Sequence, residues 1–502
     1  MTPGEHEDAA KIGMIWKNAT WLGLVPILLN FVALFSTGYI TRQVGPSQFG
    51  RFSIALSLTG LSLLVTDVGL RALAVRDLAR GGAGARHELN DLLSLRLVMS
   101  CLGVLIAWIV AAIATWSSPA LGAVLMVSSL GIIPTALTGT LTDSLVARDQ
   151  ARVTSSSTFW SGVILTVASV IAVAVWPSDL ALAASYLIGP IVNMAMLARR
   201  SREVYGRFRL RWRPRQWRVL IRRAAPFFRI SIVGVAVSRS ELPLIGLMFG
   251  STMAGFYAAA VSLADRLAAV IDSVTTAALP TLMRLGGDAR RVTDVLSRIL
   301  HPMLGALLVG CIMASFGTTA AVTVVFGQAY APGGPALAVA LFLLPLTAVN
   351  ALVFEGFVAL RKVDFVAGTI LRGQILTGIL LPVGLMLFGL PGAPLAKLVG
   401  ALSVALSRVR AGREYFVGLW GPRYLRPLFR RTLWALPMPI ILWLGDFRPV
   451  VAVAISGGGF LCWLAATAHS SGVLQLLRPT RLAAASGAPP LPDSTLPPPP
   501  SA

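Results

Sequence analysis

Apolar runs of about 20 residues recur along most of this 502-residue chain, and they limit its possible folds more than any other feature. A run of that length crosses a hydrocarbon core of about 30 Å as an α-helix. Charged residues make up 13% of the chain, whereas a soluble domain carries about 25%. The sequence therefore predicts an all-α polytopic membrane protein.

The positions of the runs predict about fourteen transmembrane helices. They lie at residues 19–38, 50–73, 93–114, 120–146, 155–176, 180–198, 226–249, 254–279, 296–316, 336–360, 364–387, 392–410, 432–445 and 449–468. Of the 43 basic residues, 37 fall in the chain ends and alternate loops, and three fall in the opposite loops. Because cationic loops resist translocation, this asymmetry predicts that both chain ends are cytoplasmic.

An internal repeat appears when the chain is shifted by 205 residues, which aligns VGPSQFGRFSIALSL (44–58) with FGSTMAGFYAAAVSL (249–263). Each copy predicts a tight extracytoplasmic turn followed by a helix, where glycine permits close chain reversal. The residues of this turn motif are Gly45, Pro46, Gly50, Gly250, Gly255 and Tyr257. An even number of spans separates the copies, so the repeats are parallel and predict two six-helix lobes.

The spans and the repeat predict the domain organisation. It comprises a cytoplasmic N-terminal segment (1–18), a first lobe (19–198), an Arg-rich cytoplasmic linker (199–225), a second lobe (226–410), a basic cytoplasmic loop (411–431), two further helices (432–468) and a cytoplasmic Pro/Ala-rich tail (469–502).

The linker region is the most basic stretch, with eleven arginines at positions 199–223. Aromatic residues between the arginines are also typical of nucleic-acid-binding arms. The surrounding spans instead favour a segment at the cytoplasmic lipid headgroups, where cations meet anionic lipid. We therefore expect no nucleic-acid partner.

Other motifs give little indication of catalysis. The three cysteines lie far apart in apolar runs and the four histidines are scattered, so we expect no disulfide framework and no metal site. The sequence contains no GxxxxGK[ST] phosphate loop, which argues against direct ATP coupling. We expect a protein that is not an enzyme, with no catalytic residues and no cofactor.

The stretch TRQVGPSQFGRFS, followed by TDVGLRALAVRDLAR, resembles the opening of the polysaccharide (O-antigen type) flippases. GSTMAGFYAAAVSLADRL in the second lobe resembles the same family's Gly-x(4)-Gly-x-Tyr-x(2)-Ala signature. That family shares a superfamily with the lipid II flippases and the multidrug and toxin extrusion antiporters. The resemblance implies two six-helix bundles around a central cavity, which alternate between inward-open and outward-open states.

Charged residues inside the predicted spans are the candidate site, because a charge at mid-bilayer costs about 2.5–3.5 kcal/mol and faces a cavity or a partner. Guanidinium suits phosphate, so the candidate headgroup contacts are Arg239, Arg266, Arg372 and Lys397. The candidate ion-coupling groups or counter-charges are Asp67, Glu241, Asp265, Asp272 and Glu355. Pairing among these charges, which would lock helices together, is the competing interpretation.

The leading hypothesis is a flippase for a polyprenyl-diphosphate-linked oligosaccharide in the bacterial cytoplasmic (inner) membrane. Its partners would be the lipid-linked oligosaccharide, membrane lipids, and glycosyltransferases with a polysaccharide polymerase. One alternative is an antiporter for drugs or organic cations, although the even balance of embedded charges argues against its anionic pocket. A second alternative is a non-transporting scaffold for glycan assembly.

Overall fold

The computed structural model describes residues 30, 32–67, 78, 85–148, 150–284, 288–360, 362–416 and 419–420. The regular structure in these ranges is helical. The helices are α1 (32–44), α2 (Pro46–Asp67), α3 (Ala85–Ser117), α4 (Pro119–Ser129), α5 (Ile132–Val146), α6 (Ala151–Val175), α7 (Asp179–Tyr186), α8 (Ile188–Tyr205), α9 (Pro214–Arg284), α10 (Ala289–Ser315), α11 (Thr318–Phe326), a 3-10 helix (Gln328–Gly333), α12 (Gly334–Leu341), α13 (Leu343–Ala359), α14 (Val363–Phe388) and α15 (Gly392–Tyr415).

The predicted all-α membrane fold is confirmed, since the described residues contain ten helical segments long and apolar enough to cross a membrane. Nine of them match one predicted span each, and Ile232–Thr275 contains two. The first predicted span is described only from residue 30. The predicted spans 432–445 and 449–468, the N-terminal segment and the tail lie outside the described residues.

Helices extend further at two predicted domain boundaries than the apolar runs do. α8 and α9 enter the predicted linker from both sides, so that only residues 206–213 lie between them. α15 continues to Tyr415, beyond the predicted end of the second lobe at residue 410. Hydropathy marks the membrane-embedded part of a helix and not its last turn, which explains both differences.

Local sequence sets several helix starts. Ser118 and Ser178 precede α4 and α7, and their hydroxyl oxygens accept hydrogen bonds from Leu121 N (3.4 Å) and Ala181 N (3.1 Å). Asp288 caps α10 in the same way. These side chains satisfy amide groups that have no partner within the helix.

Three predicted spans each consist of two consecutive helices: α4 with α5, α7 with α8, and α12 with α13. Pro134, Pro190 and Pro345 each occupy the third position of the second helix. A proline in the first helical turn sacrifices no intrahelical hydrogen bond but cannot continue a preceding helix. These prolines therefore account for the three breaks.

The chain reverses direction at two glycines with positive φ, Gly45 (80°) and Gly250 (86°). Gly250 interrupts α9, which is otherwise helical over 71 residues. The hydroxyl of Tyr257 lies 2.8 Å from Oε2 of Glu241, whereas 16 residues of straight helix would span about 24 Å. α9 is therefore two antiparallel arms joined at Gly250.

The two turns pack directly against each other and relate the lobes by an approximate two-fold axis. A Cβ added to Gly50 would collide with the carbonyl oxygen of Ser251, and one added to Gly255 with that of Pro46. Pro46 and Ser251 are equivalent under the 205-residue shift, so the contact is reciprocal, as an isologous interface requires. The hydroxyl oxygens of Ser47 and Ser251 lie 3.3 Å apart across it.

We call the end of the molecule that holds Gly45 and Gly250 the turn end, and the opposite end, with residues 206–213, the linker end. At the turn end one hydrophobic core contains residues of both lobes, including Phe49 and Phe326. At the linker end the lobes have separate cores, one around Leu296 and one around Leu89. The lobes are thus joined by apolar packing chiefly at the turn end.

Candidate functional site

A cavity of about 570 Å³ lies inside the second lobe. Both arms of α9 line it, together with α12, α13, α14 and α15. Its charged lining residues are Glu241, Asp265, Lys397 and Arg408. The cavity therefore brings together three residues that the sequence predicted separately and one that it did not.

Glu241 and Lys397 form an ion pair on the cavity wall. The Lys397 Nζ atom lies 2.6 Å from Oε1 of Glu241, and the Tyr257 hydroxyl donates a hydrogen bond to Oε2. The Glu241 side chain is only 5% exposed, whereas that of Lys397 is 28% exposed. A carboxylate this deeply buried is stable as an anion only if it is paired and hydrogen-bonded, and these two residues supply both.

Arg408, on the same helix as Lys397, also lines the cavity and connects three helices. Its Nε donates to Oγ1 of Thr369 (3.2 Å) on α14, and its Nη1 donates to the carbonyl oxygen of Asn350 on α13. The guanidinium also lies 5.6 Å from the centroid of the Phe354 ring. With 3% exposure it is a buried cation bound to neutral groups.

We expect Arg408→Lys to destabilise the protein by about 1–2 kcal/mol, because lysine keeps the charge but cannot reproduce the planar fork of donors. Arg408→Ala should cost more, since it removes both hydrogen bonds and the contact with the Phe354 ring. Arg413→Ala, on an exposed position of the same helix, is the control. Thermal unfolding of the purified protein measures all three; equal effects of Arg408→Ala and Arg413→Ala would contradict this role.

Asp265 and Arg266 are consecutive residues of α9 whose side chains face different surfaces. Asp265 is exposed to the second-lobe cavity. Arg266 reaches the first lobe instead, because successive helical side chains diverge by about 100°. The second arm of α9 therefore contributes to both the cavity and the boundary between the lobes.

Arg266 binds α1 and the preceding Asn30 across this boundary. Its Nη1 donates to the carbonyl oxygen of Asn30 (3.2 Å), and its Nη2 donates to that of Ala33 (3.1 Å) and to Oγ1 of Thr37 (2.9 Å). The Nε atom is buried and has no hydrogen-bond partner. The hydrogen-bond acceptors of Arg266 among the described residues are thus all uncharged.

Arg239 also faces the first lobe. A Cβ added to Gly60 of α2 would lie 3.2 Å from both Cδ and Nε of Arg239. The absence of a side chain at Gly60 therefore leaves room for this arginine. Two of the four predicted headgroup cations, Arg239 and Arg266, consequently lie at the lobe boundary, and Lys397 lies in the second-lobe cavity.

The remaining predicted site residues are not found together in the second-lobe cavity or at the lobe boundary. Arg372 and Asp272 are exposed and Glu355 is half-buried, and none of them is among the cavity-lining residues. The side chain of Asp67 lies outside the described residues. Among the described residues, no group of three or more His, Cys, Asp or Glu side chains could hold a metal ion.

Arg408 was missed because it falls at the edge of a basic loop in the sequence. A signal for it exists nonetheless: Lys397, Gly400, Ala401, Val404 and Arg408 line one cavity and follow the spacing of one helix face. This spacing would have grouped Arg408 with Lys397 and separated it from the topogenic arginines that follow.

Comparison with known proteins supports the sequence resemblance. A family model described as "Polysaccharide biosynthesis protein" matches residues 15–285. A comparison with curated protein sequences finds no match.

Several solved structures are similar to this chain at low sequence identity. The lipid II flippase MurJ in an inward closed conformation has a TM-score of 0.71 and 12% identity, covering 89% of this chain and 99% of its own. An inward-facing multidrug resistance MATE family transporter of the MOP superfamily has a TM-score of 0.56, 12% identity, and coverage of 80% and 98%. A MOP superfamily transporter from Pyrococcus furiosus, described as having a binding pocket of reverse polarity, has a TM-score of 0.52 and 15% identity, covering 80% of this chain and 96% of its own.

At these identities the solved structures establish the fold, while the family model covers more than half of the chain. The chain belongs to the polysaccharide biosynthesis protein family and is a multi-pass membrane protein whose two-lobed helical fold is similar to that of the lipid II flippase MurJ.

Proposed function

We propose that this protein flips a polyprenyl-diphosphate-linked oligosaccharide across the bacterial cytoplasmic membrane by alternating access. The sugar-diphosphate headgroup passes between the lobes while the polyprenyl tail stays in lipid. Membership of a polysaccharide biosynthesis family supports this substrate class. The protein acts as a transporter and not as an enzyme, with both chain ends in the cytoplasm.

The bonding of Arg266 is the observation that carries the proposal. Its guanidinium lies at the lobe boundary, and its hydrogen-bond acceptors among the described residues are two backbone carbonyls and a hydroxyl. Hydrogen bonds from guanidinium to phosphate are charge-assisted and roughly twice as strong as those to neutral acceptors. A diphosphate can therefore displace α1 from Arg266, which couples headgroup binding to separation of the lobes.

Charge balance favours an anionic substrate over an organic cation. Arg239 and Arg266 face the lobe boundary, while Glu241, predicted as an ion-coupling group or a counter-charge, is neutralised by Lys397. Organic-cation antiport requires anionic groups that are free to bind the cation. In the proposed mechanism Glu241 and Lys397 act as mutual counter-charges, and Asp265 is the acid that remains open to the cavity.

The distribution of hydrophobic cores supports alternating access. One core joins both lobes at the turn end, and separate cores stabilise each lobe at the linker end. Each lobe can therefore move as a packed body if the shared core at the turn end separates. The two-fold contact at Gly50 and Gly255 is the proposed pivot and seal of this end.

Arg266→Ala is expected to reduce flipping at least tenfold, because it removes a charge-assisted contact to the diphosphate worth about 1.5–3 kcal/mol. Arg266→Lys should recover only part of the activity, since an ammonium cannot bind two phosphate oxygens as a fork. In cells whose own copy is deleted, the measurement is lipid-linked oligosaccharide accumulating on the cytoplasmic leaflet. Arg290→Ala, an exposed change outside the site, is the control.

Two outcomes would overturn the proposal. Unchanged surface glycan and no accumulated intermediate in the deletion strain would rule out a flippase, and increased drug susceptibility would then indicate an antiporter. If Arg266→Ala and Arg239→Ala leave glycan export unaffected at normal expression, the protein acts as a scaffold for glycan assembly.

A further inference from the structure

Residues 206–213 are attached along the side of α3 by their backbone. Arg209 N donates to Oδ1 of Asn90 (3.1 Å), and Arg211 N donates to Oγ of Ser94 (2.9 Å). Two extended residues rise about 6.6 Å, which matches the rise of about 6 Å over four helical residues. The segment therefore runs parallel to α3, from its polar start towards its apolar part.

Further contacts attach this segment to the first lobe. Nη2 of Arg86 donates to the carbonyl oxygen of Arg207 (2.9 Å). Trp217, in the first turn of α9, is 6% exposed and belongs to the linker-end core of the first lobe. Trp212 packs edge-to-face on Trp217 at a centroid distance of 4.7 Å. The first lobe thus holds the stretch from 207 to 222, which we call the arginine belt.

The outer surface of the arginine belt combines cations with large apolar side chains. Residues 207–222 contain seven arginines and no acidic residue. Trp212 is 75% exposed, Leu210 63% and Val219 55%. The arginines that are also exposed are Arg207, Arg209, Arg215, Arg218 and Arg222.

We propose that the arginine belt is a binding surface for anionic phospholipid headgroups of the leaflet at the linker end. Basic residues beside a membrane are attracted to anionic lipid, and Trp is enriched at the level of the headgroups. The belt lies at the level expected of lipid headgroups, because it runs beside Asp91 and Ser94, where the apolar part of α3 begins. Exposed leucine and tryptophan gain free energy there only if lipid covers them.

A nucleic acid fits this surface less well. Binding of single strands uses several exposed aromatic rings on which successive bases stack. In the belt Trp217 is buried, Phe208 is half-buried, and Trp212 alone is an exposed aromatic residue. Its ring also packs against that of Trp217.

Lipid binding here has a consequence for movement within the protein. The belt is fixed to the first lobe by Asn90, Ser94 and Trp217. Anionic lipid bound to the belt would therefore hold the first lobe at the leaflet surface while the second lobe moves. This inference concerns the lipid surroundings and does not depend on which substrate is carried.

The test uses the full chain purified in mixed phosphatidylglycerol and phosphatidylcholine, with retained lipids counted by native mass spectrometry. Wild type should retain phosphatidylglycerol preferentially. Arg215→Gln/Arg218→Gln/Arg222→Gln should lower this preference at least about threefold. Arg290→Gln/Arg291→Gln/Arg298→Gln removes the same charge from exposed positions of α10 and should change it little. Equal loss in both triple variants, or no preference in wild type, would overturn the proposal.

A second measurement places the belt relative to the lipid. A spin label on Trp212→Cys, with the natural cysteines replaced, should be more accessible to oxygen than to a water-soluble nickel complex. Greater accessibility to nickel would overturn the proposal even if lipid counts agree. Co-purified nuclease-sensitive material, or retention of undecaprenyl diphosphate but not of phosphatidylglycerol, would assign the surface to nucleic acid or to the lipid-linked substrate instead.

Discussion

Replacing Lys397 with alanine should destabilise the protein by about 3 kcal/mol. The change leaves Glu241 as a buried carboxylate, 5% exposed, whose remaining partner among the described residues is the Tyr257 hydroxyl. We expect the lower end of the range for broken buried ion pairs, because the Lys397 side chain is 28% exposed. Thermal unfolding of the purified protein is the measurement, and Arg410→Ala, at an exposed position of the same helix, is the matched control.

A double-mutant cycle separates the ion pair from simple packing. Glu241→Gln removes the charge but still accepts the hydrogen bond from Tyr257. If the buried charge is the cause, Lys397→Ala/Glu241→Gln should regain at least half of the stability that Lys397→Ala loses. A double variant no more stable than Lys397→Ala would instead assign the loss to the packing of the lysine side chain.

The sequence identifies the two charged residues of this pair but not that they contact each other. Charges within apolar spans are costly, so Glu241 and Lys397 could each be singled out from hydropathy alone. The pairing of Glu241 with Lys397 depends on how α9 and α15 pack. The two residues are 156 positions apart in the sequence. Its charge alone predicts Lys397 as a phosphate contact, and the structure adds that Lys397 forms an ion pair with Glu241.

The hydrogen-bond partners of Arg266 could not be predicted from the sequence either. Its position in a span identified it as a candidate, but nothing local indicates that carbonyls of α1 would be its acceptors. Helix carbonyls carry no sequence signature, because every residue has one. The span count and the parallel repeat were accessible because hydropathy, charge asymmetry and turn glycines are local signals.

Introducing a single methyl group at Gly50 should separate the lobes at the turn end. The Cβ of Gly50→Ala would overlap the backbone of Ser251 and Gly255, and backbone atoms cannot rotate away as a side chain can. Overpacking of this kind costs about 1–3 kcal/mol, enough to shift a two-state equilibrium by about fivefold or more. Gly255→Ala should act in the same way, since its Cβ would meet Pro46 and Gly50.

A cysteine pair at the same contact reports the separation. Ser47 and Ser251 face each other with hydroxyl oxygens 3.3 Å apart, so Ser47→Cys/Ser251→Cys should crosslink rapidly once the natural cysteines are replaced. Adding Gly50→Ala should slow crosslinking about fivefold or more. Gly234→Ala is the control, because a Cβ there meets nothing within 4 Å. Equal crosslinking rates in the two variants would mean that the turns absorb the methyl group without moving apart, and Gly50 could then not be a seal of the turn end.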